Sequence, residues 1–336
     1  MSDFDDGMVI GLVIGKKKFK GGGEKEVEWE YPAYWPPLPD AGEGECIFLI
    51  RPSADRKNFK IILNLFENTY SGAETIDWGD GNVEEIELNI SSSLIHLNHE
   101  YADSYIGQYV FIKLQTAFFY RTDSGAISTT YRCQTSVSCD TDTSGCAYTL
   151  AASVGKSLCC YGLHSSSFNP MYVRFCMDDF NEISTSNDYN DNSKYPYTGY
   201  YRSMFQQFTG QYTRRIDFTG NPTIFGTAYN SSMPWLTTLT GVDNVTKFNE
   251  YFNAGNVFGN CHALKKISFP NLTELPNSCF NSTYSLREAY LPKCKKIGTN
   301  CFVGNEILQR VTVAKGCEIG GSSFEYNKHY VEIVEV

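Results

Sequence analysis

The feature that most constrains this chain is a repeat near its C-terminal end whose period can be counted. Leu264, Leu286 and Leu308 stand 22 residues apart. The same step links Ile267, Ala289 and Val311; Phe269, Leu291 and Val313; Leu275, Ile297 and Ile319; and Phe280, Phe302 and Phe324. An apolar ladder with a period in the twenties implies units that each leave a face only the next unit can bury, so the units stack into a solenoid. The six-residue interval from Phe280 to Leu286 recurs from Phe258 to Leu264, which carries the array upstream. Beyond that it loosens. Leu236 lies 28 residues before Leu264, an insertion of six, while Ser203-Met-Phe205 and Arg215-Ile216-Asp217-Phe218 fit a looser unit. The solenoid is predicted over 201–336, and Tyr330–Val336 reads as a strand that caps its last unit.

Upstream, the pattern changes to short strands separated by Gly and Asn. Cys46–Ile50, Phe59–Phe66, Glu74–Trp78, Val83–Ile90 and Gln108–Leu114 have the length and alternation of a β-sandwich, placed at 46–118. Ile76-Asp77-Trp78-Gly79-Asp80-Gly81 contains two glycines that permit positive φ in a tight turn, with Asp80 able to bond its own backbone. Trp78 is expected to point inward. Asp77, Asp80 and His99 could be arranged as a catalytic or metal set, but turn and packing roles fit the same residues.

These motifs carry resemblances. WGDG at 78–81, then His99-Glu-Tyr101, then Gly107-Gln-Tyr109-Val110, resembles the signature of PKD-type immunoglobulin-like domains over about 70 residues. The units Leu264-Lys-Lys-Ile-Ser-Phe-Pro270 and Leu286-Arg-Glu-Ala-Tyr-Leu-Pro292, the latter with Ile297-Gly298 and Asn300-Cys-Phe302, resemble BspA-type leucine-rich repeats of bacterial surface proteins. Trp35-Pro-Pro-Leu-Pro-Asp40 with Gly42-Glu-Gly-Glu45 resembles segments of bacteriophage tail-fibre and baseplate proteins. Together they imply a mainly β chain, a PKD-like β-sandwich followed by a leucine-rich-repeat solenoid.

The remaining segments are read from composition. Residues 1–23 hold the short apolar run Val9–Ile14, the lysines 16, 17, 18 and 20, and three glycines, and are read as an anchoring segment. The run follows acidic residues, unlike a secretory signal, and is far shorter than the roughly 20 residues needed to span a bilayer. Residues 24–45, with Tyr31-Pro-Ala-Tyr-Trp-Pro-Pro-Leu-Pro39, read as an extended Pro/aromatic linker, or else as a strap laid on a neighbouring subunit. Residues 119–200, rich in Ser, Thr, Tyr, Asn and Asp, are an irregular insert or degenerate repeats, and Pro170–Phe175 could be the first repeat strand. A net charge of −10, from 28 basic and 38 acidic residues, argues against a phosphate-backbone partner.

Little catalytic chemistry is legible. Cys133, Cys139, Cys146, Cys159, Cys160 and Cys176 lie near His164, but their spacings lack the close pairs of structural zinc, and buried thiols or a late disulfide fit as well. Cys279 and Cys301 are one period apart and read as core. Asp140-Thr-Asp142-Thr-Ser144-Gly145 begins like a calcium loop but has Ala151 at the twelfth place, and Asp188–Asn192 fails in the same way. With no nucleophile elbow or phosphate loop, the expectation is no enzyme, no catalytic residue, no metal and no cofactor.

Alternation along the repeat strands sends Ile267 and Phe269 inward and Lys266 and Ser268 outward. One period on this selects Glu288 and Tyr290, then Arg310 and Thr312, and these six residues are the predicted binding surface. The resemblances imply a virion-attached accessory protein, made in the host cytoplasm. It would contact other virion proteins through residues 1–40 and a host surface protein or glycan through the repeats. A bacterial cell-surface adhesin, extracellular or surface-bound, and a carbohydrate-active enzyme with a PKD spacer are the alternatives. No membrane insertion is expected, and a homo-oligomer stays open.

Overall fold

The computed structural model of the chain describes residues 28–42, 44–65, 73–87, 94–115, 120–121, 127–128, 135–139, 145–155, 158–159, 170–176, 212–225, 233–248 and 257–336. The anchoring segment 1–23, residues 140–144 of the first calcium-like loop, the whole of Asp188–Asn192, and Cys133, Cys160, His164 and Ser203–Phe205 lie outside them. The regular secondary structure of the described residues is all β-strand apart from one short 3₁₀ turn at Asp103–Tyr105. The first eleven strands are β1 (Glu45–Ile50), β2 (Asn58–Leu65), β3 (Ala73–Asp77), β4 (Val83–Glu87), β5 (Leu94–Glu100), β6 (Val110–Gln115), β7 (Tyr120–Arg121), β8 (Ile127–Ser128), β9 (Thr135–Cys139), β10 (Thr149–Gly155) and β11 (Leu158–Cys159). Then follow β12 (Tyr172–Cys176), β13 (Arg215–Phe218), β14 (Ile224–Phe225), β15 (Thr238–Thr240), β16 (Lys247–Phe248), β17 (Lys266–Ser268) and β18 (Glu274–Leu275). The last five are β19 (Glu288–Leu291), β20 (Lys296–Ile297), β21 (Arg310–Val313), β22 (Glu318–Ile319) and β23 (Glu332–Glu335).

Two sheets face each other in the N-terminal half. One runs β15-β13-β12-β10-β1-β6-β3-β4 and the other β11-β9-β2-β5. Phe48 from the first meets Phe59 from the second at 5.7 Å between ring centroids. Strand β6 shows the alternation of a half-buried strand, with Val110, Ile112 and Leu114 inward. Strand β1 does not alternate: Cys46 to Ile50 are all buried. A continuous apolar run needs cover on both faces, and the second cover is the Pro/aromatic stretch. Trp35, Leu38 and Ala41 pack on Ile47, Leu49, Leu150, Ala151 and Tyr172 of the same chain. The strap is clamped by Arg174, whose Nη1 donates to Leu38 O at 2.8 Å and to Asp40 Oδ1 at 2.7 Å. Residues 28–42 thus pack on their own chain, where they cover the apolar outer face of β1 and β10.

Strands β9 and β10 lie in the stretch read as an irregular insert, yet β9 pairs with β2 and β10 with β1, both antiparallel. The facing sheets thus continue well past residue 118. Strand β10 is also the joint between architectures, since its other edge pairs in parallel with β12, which pairs in parallel with β13 and that with β15. Parallel repeat pairing therefore starts before residue 201, with β12 as the first coil strand. One apolar core runs without interruption from Phe48 and Trp78 to Phe302 and Val313.

The later coils stack in the 22-residue register. Parallel sheet β17-β19-β21-β23 forms one side and β18-β20-β22 a second. On the turns that lead into β17, β19, β21 and β23, Phe258, Phe280, Phe302 and Phe324 form a ring stack at 5.4, 5.9 and 5.6 Å, with interplanar angles of 10°, 8° and 3°. The glycine of each Ile-Gly pair is demanded by this closeness: a Cβ on Gly298 would lie 2.6 Å from the Asn277 amide nitrogen of the preceding coil. A left-handed backbone position also recurs every 22 residues, at Asn260, Ser282, Gly304 and Tyr326. The ladder ends where neighbours do, so Ile319 is 42% exposed although Leu275 and Ile297 are buried. The closing segment is a strand, as expected, and it covers the last unit by continuing the ladder. Strand β23 pairs with β21 in repeat register, Arg310 opposite Glu332, and is one more coil strand.

Candidate functional site

Alternation along β17, β19 and β21 turns Ile267, Ala289, Leu291, Val311 and Val313 into the core. The opposite side chains form two rows across the sheet. Parallel register sets Lys266 beside Glu288, Glu288 beside Arg310 and Arg310 beside Glu332. The row carries alternating charge. Lys266 Nζ lies 3.3 Å from Glu288 Oε2, and Arg310 Nε donates to Glu332 Oε2 at 3.0 Å. Exposed pairs of this kind contribute at most about 1 kcal/mol to folding. The second row is Ser268, Tyr290, Thr312 and Val334.

Five of the six predicted residues reach solvent on this face, with Tyr290 48% exposed. Thr312 does not. It is only 9% exposed because its short side chain is flanked by Tyr290 and Val334 on the adjoining strands. Glu332, one 22-residue period beyond Arg310, extends the charged row and is not among the six. The reading of residues 330–336 as a cap removed them from the repeat. Also unforeseen is an aromatic edge on the turns that enter the strands. Trp235 is 48% exposed with Arg214 over its ring at 5.8 Å, and Tyr284 is stacked on His262 at 4.6 Å.

The acidic motif of the N-terminal half is a knot of packing and turn contacts. The Gly79 turn sits so close to β6 that a Cβ there would fall 2.2 Å from Phe111 O. Trp78 is fully buried, its Nε1 donating to Glu84 Oε1 at 2.8 Å, with His99 stacked on it at 4.8 Å. Tyr101 Oη donates to Trp78 O at 2.8 Å, so burial raises its pKa far beyond the ordinary range. Asp77 Oδ1 accepts from the Gly79 amide, and Asp80 Oδ1 accepts from the Asn82 amide. Asp80 Oδ2 lies 2.7 Å from His99 Nε2. Burial works against the Asp80 charge, but the Asn82 amide and His99 together outweigh it and hold the carboxyl below its ordinary value. Asp77 Oδ1 and both Asp80 oxygens are thus engaged in turn and packing contacts.

The repeat thiols are core. Cys261, Cys279, Cys294 and Cys301 are fully buried. Burial pushes Cys261, Cys294 and Cys301 up to about 12 and raises Cys279 as well, which removes the thiolate that reactivity requires. Of the insert cysteines, Cys146 is buried and Cys176 partly so, with Cys176 Sγ 3.5 Å from Ser153 Oγ. Among the described residues no three His, Cys, Asp or Glu side chains come together as a metal set.

Residues 236–334 match the model of the BspA type leucine rich repeat region, in six copies. The match covers β15 through most of β23, the stretch in which the two outward rows are displayed. No curated protein and no solved structure matches the chain.

Proposed function

We propose that the protein is a non-enzymatic surface interaction module whose solenoid presents the strand face of β17, β19, β21 and β23 to a partner. The observation that carries this reading is the BspA-type repeat match over 236–334 together with the flat, outward double row those repeats build. A parallel sheet that repeats one unit is a rigid platform, and rigid platforms lose little entropy when they bind. Tyr290 is its aromatic anchor, flanked by Lys266 and Arg310.

In this reading the facing sheets of the N-terminal half are a PKD-like spacer, supported by the WGDG, HxY and GxYxV motifs and by the packing of Trp78, His99 and Tyr101. The carrier is a bacteriophage virion. This rests on the likeness of residues 35–45 to tail-fibre and baseplate segments, which here form part of the strap. A bacterial cell-surface adhesin is the second reading, favoured by the same repeat match. The test is replacement of Lys266, Tyr290 and Arg310 together by Ala. Attachment to host cells or to a purified partner should be lost while the protein still melts in one transition, lowered only by the roughly 1–2 kcal/mol of the half-buried Tyr290 and by less than about 0.5 kcal/mol for each of the two exposed charges. Attachment that survives the triple change refutes the assignment of this face.

A further inference from the structure

We propose that the strand face of the solenoid binds the same face of a second copy of this chain, about a two-fold axis parallel to the strands and midway between β19 and β21. The proposal rests on the reading of that face as an interaction surface and names its partner. The row Lys266, Glu288, Arg310, Glu332 runs plus, minus, plus, minus across four registered strands. A rotation about such an axis turns the face over, reverses the order of the strands and keeps their direction. Lys266 then faces Glu332 of the second copy, and Glu288 faces its Arg310. By symmetry the same two pairs form again in the other direction. All four members of the row therefore meet opposite charge.

The alternation also selects the register. An axis through β19 would set Glu288 against Glu288 and Lys266 against Arg310. One through β21 would set Arg310 against Arg310 and Glu288 against Glu332. Like charges brought together in this way cost several kcal/mol, so a shift by one strand is rejected. Axes between other strand pairs keep opposite charges together but engage fewer of them. An axis across the strands would lay the charged row over Ser268, Tyr290, Thr312 and Val334, which offer it no counter-charge.

The second row fits the same operation. Tyr290, 48% exposed, comes over Thr312, 9% exposed, and Ser268 over Val334. A long side chain against a short one suits the separation of about 10 Å at which sheets pack face to face. Each copy thus inserts one tyrosine into the shallow place left by the other's threonine, an isologous contact of the kind two-fold dimers use. Four strands about 4.8 Å apart, over about three residues of about 3.3 Å each, make a patch of roughly 200 Å², below the roughly 800 Å² per partner of stable interfaces. The dimer is accordingly weak and salt-dependent.

The experiment is sedimentation velocity on the full chain from about 1 μM to about 1 mM. The expected result is a reversible monomer–dimer equilibrium that is lost in about 1 M NaCl, where the screening length falls to about 3 Å. Lys266→Glu and Glu332→Lys should each weaken self-association at least tenfold. Their equimolar mixture should restore a heterodimer, since each variant supplies the charge the other now lacks; Arg310→Glu with Glu288→Arg should behave the same way. Melting curves on the separate variants confirm that each is folded. A wild type that stays monomeric throughout, or reversals that fail to complement, would overturn the proposal. If the wild type is monomeric while the Lys266, Tyr290, Arg310 triple variant loses host attachment, the face serves a foreign partner and only this inference falls. If the triple variant loses the dimer but keeps attachment, this inference stands and the assignment of host attachment to the face falls.

Discussion

Phe302→Ala tests whether the coils act as one stack. Phe302 is fully buried between Phe280 at 5.9 Å and Phe324 at 5.6 Å, whose rings lie 8° and 3° from parallel to its own. Truncating a buried Phe to Ala removes its transfer free energy and leaves a cavity, together about 3–5 kcal/mol. The upper part of that range applies, because Gly298 and Gly320 hold the backbones too close for the coils to collapse further into the gap: a Cβ on Gly320 would lie 2.6 Å from Gly298 C. Phe302→Leu refills most of the volume but stacks on nothing, and should cost about 1–3 kcal/mol, the worth of two ring contacts. Tyr290→Ala, on the half-exposed outer face, should cost about 1–2 kcal/mol by buried area. Urea unfolding followed by far-ultraviolet circular dichroism gives the three values, with the slope of the transition checked for constancy. Because each coil is stabilised by its neighbours, the Phe302 variants should shift the whole repeat transition and not split it. Equal losses at Phe302 and Tyr290 would refute the inward and outward assignment, and a separate early transition would refute the single stack.

Gly298→Ala should destabilise the repeat region by several kcal/mol despite adding only a methyl group, since its Cβ would lie 2.5 Å from Asn277 Oδ1 and 2.8 Å from Pro276 C; thermal melting measures the loss. Tyr326→Asn should stabilise by about 1 kcal/mol, because Tyr326 holds φ 59° while 80% exposed, and Asn260 occupies the equivalent place three periods earlier at φ 58°; an unchanged or lowered melting temperature would count against it. Asp80 has a folded pKa below its unfolded value, so its contribution is complete above pH about 4 and is lost as pH falls through the lower, folded value. Asp80→Asn should abolish that part of the acid dependence, read from urea midpoints across the acid range. Peptide-mapped alkylation of the native protein should leave Cys261, Cys279 and Cys301 unmodified and reach them only after unfolding, since burial holds them protonated.

How far the sequence could be read depended on whether a residue's surroundings lay in its own unit. Leu286, Ile297 and Phe302 each see the same neighbours one period away, so a count of 22 was enough to place them in the core. Strand β10 has no such signal. Thr149-Leu-Ala-Ala-Ser-Val-Gly155 is poor in the branched and aromatic residues that mark strands, and it is a strand because β1, β12 and the strap enclose it on every side. Its small residues are what allow the strap so close, with the Ala41 amide donating to Ser153 Oγ at 3.0 Å. The strap itself read as a linker for the converse reason: its prolines describe its own conformation and say nothing of the apolar face waiting beneath it. Only the unbroken run Cys46–Ile50 hinted that β1 was covered twice.

The binding rows show the same division at finer scale. Which way Lys266, Glu288, Tyr290 and Arg310 point is a local property of a strand, and alternation decides it. Whether a row is a surface or merely a solvated edge is decided between strands. Thr312 has the outward parity of Tyr290 and still loses its exposure to the two side chains beside it. Glu332 has no standing as a site residue until β23 is seen to pair with β21, and it then completes a row whose charges alternate. That alternation would be a small stabilising device if it served only folding, since exposed ion pairs add little. Its larger consequence is geometric: a row of four alternating charges is complementary to its own reverse, a property that the three charges Lys266, Glu288 and Arg310 lack until Glu332 joins them.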